Sequence, residues 1–272
     1  MSLDFHDAIA RARRAGACQE ALDELASMSG WDEFARHPKA PEWACWYAVN
    51  VASERVPGLE PIIARDPKEA YYYALDLAGR FPEAEPVIAK NSNLAYFYAY
   101  LVIKGRWPEA EPVIAKSTTY AYRYARDVVR GRWPEGEPAI ASDPWHAAMY
   151  CIYVLRRRWP EAEPVISRHP ESAFNYAYRV VRGRWPEAEP VISADPEWAR
   201  RYARDVVRGR WPEAEPVIAR DPECAYRYAR YVIGGRWPEA ERRIAIDRWA
   251  AADYAKHVIL GPWPEAKVHV CW

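Results

Sequence analysis

Residues 106–130 read RWPEAEPVIAKSTTYAYRYARDVVR, and the stretch returns with small changes through most of the chain. Its proline recurs as Pro57, Pro82, Pro108, Pro134, Pro160, Pro186, Pro212, Pro238 and Pro264, first after 25 residues and then every 26. A fixed period of this size is the signature of a solenoid, in which each unit buries its apolar face only against its neighbours. The expected fold is therefore an all-α solenoid of about nine helical-hairpin repeats.

Each unit divides in two. Its first half, Pro-Glu-Ala-Glu-Pro-Val-Ile-Ala at 108–115, opens with a proline and acids, which suit a helix start. The second proline, four residues on, removes a donor and crowds the preceding turn, so this helix should be short and irregular or 3₁₀. The second half opens most clearly as Asp-Pro-Glu at 195–197 and 221–223, a cap followed by a first-turn proline. A helix of about 13 residues should follow. Gly105, Gly131, Gly183, Gly209, Gly235 and Gly261 mark its expected C-terminal stop.

Outside the array, residues 1–36 carry apolar residues at helical spacing and read as an N-terminal helical cap. A half repeat at 41–55 begins the repeat array, 37–261. The last stretch, 262–272, degrades to PEAKVHVCW and reads as a C-terminal cap.

Comparison of the units separates frame from variation. Ala121, Tyr124, Ala125, Val128 and Val129 form the long helix's expected inner stripe. The tyrosine recurs in every unit as Tyr47, Tyr73, Tyr98, Tyr124, Tyr150, Tyr176, Tyr202, Tyr228 and Tyr254. Phe81 and the tryptophans Trp107 to Trp263 form a second column at the same period. Such strict repetition makes these aromatics core rather than a ligand box. Arg80 to Arg236 and Glu85 to Glu241 form charged columns, expected as a ladder tying turns together. Their repetition argues against an acid–base pair, because an active site is normally unique.

The 38 basic residues balance 38 acidic ones, so net charge points to neither nucleic acid nor an acidic membrane. Five cysteines, none in a Cys-x-x-Cys pair, argue against a disulfide framework or zinc site and for a reducing cytoplasm. No apolar run is long enough to span a membrane, and none marks a signal peptide. The six histidines do not pair at metal spacing, and no phosphate loop, nucleophile elbow or His-Glu-x-x-His is present. No cofactor, metal or enzymatic activity is expected.

Function in such an array belongs to columns that vary while the frame stays fixed. A helical wheel places Arg123 and Arg126 on the long helix's outward arc, with Tyr122 at its edge. In early units the varying positions supply Tyr71, Tyr72, Leu75, Tyr96, Phe97, Tyr100 and Leu101. These form either an apolar contact surface or packing under the N-terminal cap and neighbouring helices. Later units supply Tyr178, Arg179, Arg182, Arg200, Arg201, Arg204, Arg208, Arg227, Arg230 and Tyr231. Arginine with tyrosine suits an acidic protein surface, phosphates and bases, or a solvated face with local pairs such as Arg201–Asp205.

The alternation of a short Pro-Glu-Ala helix, an Asp-Pro-Glu cap and a longer helix resembles leucine-rich-repeat-variant proteins. Their period is slightly shorter, and leucine dominates where Tyr and Trp stand here. The motif Arg-Trp-Pro-Glu-Ala-Glu-Pro-Val-Ile, intact at 106–114, 184–192 and 210–218, resembles the Trp-Pro-Glu-Ala-Glu-Pro repeat proteins of bacteriophage and prophage genomes over about residues 41–267. That resemblance implies a phage or mobile-element origin and transfers no catalytic residue. The functional expectation is a non-enzymatic scaffold binding another protein, of the host or its defences, in the cytoplasm. The alternative is an RNA- or DNA-binding solenoid using the Arg/Tyr face.

Overall fold

Two prolines, a cap and a tyrosine set the local structure of every repeat. In the computed structural model, which describes residues 4–266, the stretch at 106–130 forms a turn at 108–110, a four-residue helix Glu111–Ile114 and a helix Thr118–Tyr124. A π-helical turn, Ala125–Val129, continues the long helix without a break. The same order recurs in about nine helix pairs of period 26, and no strand occurs among the described residues. The protein is an α-solenoid in class.

The second proline, not the first, heads the short helix, where its missing N–H is no loss. The preceding turn closes with Ala110 N donating to Trp107 O at 3.0 Å. A natural control sits at Pro238–Ile244. There Arg242 replaces the second proline, and the short helix lengthens to seven residues starting at Pro238 itself. The proline at this position is thus what keeps the other first helices to one turn, as its clash with the preceding turn requires.

Long helices are capped by Asp66, Asn91, Ser117, Asp143, Asp195, Asp221 and Asp247, each accepting a backbone N–H one turn on. A cap of this type contributes about 1 kcal/mol. His169 takes the same role through Nδ1, at a long 3.4 Å from Ser172 N.

The C-terminal stop differs from the expected glycine. The left-handed residue is the one before it: Ser53, Lys104, Arg130, Arg156, Arg182, Arg208 and Leu260 all have φ between 54° and 60°. Gly79 and Gly234 occupy this offset in two repeats. Gly105, Gly131, Gly183, Gly209, Gly235 and Gly261 lie outside the left-handed region and have open space where a β-carbon would stand. Left-handed geometry costs a residue with a β-carbon about 1–2 kcal/mol, so seven repeats hold strain that glycine would relieve. The π turn is closed by the strained residue's own N–H, as where Arg130 N–H reaches Ala125 O.

Contacts divide the chain into Met1–Ala139 and Ile140–Trp272. In the first unit, helices Phe5–Arg14, Gln19–Ala26 and Trp31–Arg36 precede the array, as hydrophobic spacing predicts. Phe34 and His37 pack on Trp43, with ring centroids 6.4 and 4.6 Å apart. In the second unit the core is a column of Tyr150, Tyr176, Tyr202, Tyr228 and Tyr254, all fully buried. Each of the five rests on a tryptophan, as Tyr202 does on Trp211 at 4.9 Å. The predicted C-terminal cap falls mostly outside the described residues.

Candidate binding surface

The invariant tyrosine is a polar device as well as a core ring. Tyr124 Oη accepts from the Trp107 backbone N–H at 2.7 Å and donates to Glu111 Oε1 at 2.8 Å. Glu111 in turn takes a forked pair from Arg106 Nε and Nη2, both 2.7 Å. This clasp recurs around Tyr73, Tyr98, Tyr176, Tyr202, Tyr228 and Tyr254. The arginine–glutamate pairs therefore close within one repeat, correcting the expected ladder between turns. The cause is spacing: five residues across the Trp-Pro turn bring the guanidinium onto its own glutamate. The arginine holds the Glu111 carboxyl below the usual range, and burial pushes the Tyr98 phenol up to about 12. Every clasp has its charges paired, which makes it a brace and leaves it no acid or base to offer.

Surface variation lies on both sides of that tyrosine. The residue two before it is buried in most repeats: Tyr71, Tyr96, Tyr122, Phe174, Arg200 and Tyr226. This corrects the outward placement of Arg200, puts Tyr122 inside the edge of the arc, and makes Tyr96 packing rather than contact surface. A long helix in the array has a neighbour on each side, so its buried arc is wider than a single stripe. Tyr96 Oη donates to Asp127 Oδ2 of the next repeat at 2.7 Å, and Tyr226 meets His257 across the same 31-residue offset at 3.2 Å. Arg200 fills the site in its repeat by binding both oxygens of Glu197 at 2.8 Å.

Side chains emerge at the residue before the tyrosine and at the two that follow it by two and three positions. Tyr100 and Tyr178 are exposed, as are Arg123, Arg126, Arg179, Arg204, Arg227 and Tyr231; Phe97, Arg201 and Arg230 are half-buried. Most of these arginines are already engaged. Arg126 and Arg204 chelate Asp127 and Asp205, Arg227 binds Glu223, and Arg230 donates to Tyr226 Oη. Arg201 binds Glu197 at 2.6 Å rather than the expected Asp205. Of the proposed arginines, Arg123 and Arg179 have guanidinium groups with no hydrogen-bond or ion-pair partner among the described residues, Arg123 lying over the Tyr120 ring at 6.0 Å. The early aromatics divide in the same way: Tyr71 and Tyr96 are core, whereas Tyr72, Leu75, Tyr100 and Leu101 are exposed. The helix Trp31–Arg36 packs on Trp43.

Two of the concavities among the described residues bear on binding. One, about 310 Å³, is apolar and lies among Phe5, Trp31, Phe34, Trp43 and Tyr47 beneath the N-terminal helices. The other, about 650 Å³, opens on the second unit, where Tyr153, Tyr178, Arg179, Arg182, Asp205 and Arg208 converge from three successive repeats. Sequence reasoning missed Tyr153, and it missed Arg156 at the strained offset. The signal was legible, because Lys104, Arg130, Arg156, Arg182 and Arg208 follow five consecutive tyrosines at one spacing. No cluster of three or more metal-ligating side chains exists among the described residues, and no described helix is long and apolar enough to cross a membrane. Comparison with family models, curated proteins and solved structures finds no match.

Proposed function

We propose that this chain is a non-enzymatic scaffold that holds another protein against the exposed side of its long helices. One observation carries the reading. In the first unit the π turns Ala74–Ala78 and Tyr98–Ile103 pack beside each other. They carry Leu75, Tyr100 and Leu101, each about two-fifths exposed. Large apolar side chains grouped at the surface favour a protein contact, and tyrosine is a preferred anchor in such contacts. The clasps beneath them fix the backbone that presents them. As part of the same proposal, the resemblance to phage and prophage repeats makes the partner a host or defence protein met in the cytoplasm. Affinity capture from the host with the intact chain and with a Leu75→Asp, Tyr100→Ala, Leu101→Asp variant tests this. A protein retained after nuclease treatment by the first and lost by the second is expected. Identical captures by both would remove this surface from consideration.

A further inference from the structure

We propose that the second unit carries a separate binding site for a single-stranded polynucleotide, built on Arg156, Arg182 and Arg208. Three observations meet there. First, these arginines hold the left-handed position, φ 55°, 58° and 59°, that Gly234 fills later in the same unit. The frame accepts glycine at this offset, and elsewhere serine or leucine, as at Ser53 and Leu260, so the backbone does not itself call for arginine. Strain of this kind concentrates at functional sites. Second, the three are exposed, and neither their guanidinium groups nor that of Arg179 has a hydrogen-bond or ion-pair partner among the described residues. This sets them apart from Arg200, Arg201, Arg204, Arg227 and Arg230, whose guanidinium groups are occupied within the chain. Third, Arg179, Arg182 and Arg208 line one open hollow with Tyr153 and Tyr178, about half exposed.

The chemistry selects the ligand. A guanidinium fork matches phosphate oxygens, and unpaired forks repeating once per unit suit a ligand whose charge also repeats. Adjacent helices pack about 8–10 Å apart, which suits a strand running across successive repeats. The tyrosines add what an acidic peptide would not use. Tyr178 lies parallel to buried Phe174 at 6.0 Å, 1° apart, so its ring is held as a platform. Base stacking on such rings tolerates any sequence. The one acid in the hollow, Asp205, is chelated by Arg204. The site lies in a different unit from the apolar protein-contact surface, so each reading stands or falls alone.

Fluorescence anisotropy with labelled 12-nucleotide oligouridylate and oligothymidylate, across a salt series, tests the site. Binding of at least one at low salt is expected. An Arg156→Gly, Arg182→Gly, Arg208→Gly variant should keep its fold, because Gly234 already occupies this offset, and should lower the slope of log K against log salt by about 2. Tyr153→Ala with Tyr178→Ala should weaken binding about tenfold or more without changing that slope. The proposal is overturned if neither oligonucleotide binds, or if the triple-glycine variant, folded by circular dichroism, binds as the parent does. It is equally overturned if polyglutamate displaces the oligonucleotide at equal charge and the tyrosine variant is indistinguishable from the parent. That outcome assigns the arginines to an acidic protein.

Discussion

Removing one oxygen atom, by Tyr202→Phe, tests whether the recurring clasp holds each repeat together. Tyr202 is fully buried; its hydroxyl accepts from Trp185 N at 2.7 Å and donates to Glu189 Oε1 at 2.9 Å. Phenylalanine keeps the ring and its 4.9 Å contact with Trp211. It leaves the buried Trp185 N–H without its acceptor, a cost of about 1–3 kcal/mol. It also removes a bond to a carboxylate, worth about 1.5–3 kcal/mol. Glu189 keeps both Arg184 contacts, so the second cost should fall at its low end. The expected loss is about 2.5–4.5 kcal/mol. In a repeat array stability is roughly a sum of nearest-neighbour terms, so the loss should be local. Urea denaturation gives the magnitude, and amide exchange at Trp185 gives the place. Tyr178→Phe, on an exposed ring, is the control and should stay within about 0.5 kcal/mol. If Tyr202→Phe matches that control and leaves Trp185 protection unchanged, the clasp is ornamental and the stabilising role assigned to this column is wrong.

Four further outcomes follow from the same geometry. Glu60, Glu111, Glu163, Glu189, Glu215 and Glu241 are all held below their ordinary value, chiefly by their arginines. A folded value below the unfolded one means stability that is full above the unfolded value and lost as pH falls through the folded one. The urea midpoint should therefore hold down to about pH 5 and then drop; a midpoint that rose on acidification would contradict the pairing. The core phenols are shifted the opposite way by burial, so their phenolate absorbance in alkali should appear only as the chain unfolds. At the left-handed offset, Gly234→Ala should cost about 1 kcal/mol, and equal stability would show that this position bears no strain. Arg200→Glu should destabilise strongly, because it sets a buried carboxylate against the half-exposed Glu197. Arg200→Phe should be nearly neutral, because Phe174 holds the same position one repeat earlier and apolar replacement of a buried charge is often tolerated. Thermal melts of the two variants separate them, and equal melting points would refute the assignment.

The period, the buried tyrosine and tryptophan columns and the caps could all be read from the sequence, because internal repetition exposes the frame without any structure. Pro112 could be read as a helix limiter, and Arg242 supplies the exception that proves the cause. What escaped was anything that depends on the neighbouring repeat or on the turn that ends the helix. A wheel drawn on one helix leaves Tyr122 at the edge of the outward arc, because it has no place for a second packed neighbour. The relation that buries this column, Tyr96 to Asp127 and Tyr226 to His257, spans 31 residues rather than one turn. The glycine after each long helix drew the eye as a stop signal, yet the strained residue stands one place earlier.

That displacement changes where charge is available on the surface. Most arginines on the helix itself, Arg179 being an exception, have acids or phenols within reach, at one, three or four residues' spacing, and are consumed by them. An arginine one step past the π turn has left the helix, and no acid of its own long helix has paired with it. Conformational strain and free charge therefore fall on the same residues. Glycine would remove both at once, and Arg156, Arg182 and Arg208 keep both in three successive repeats.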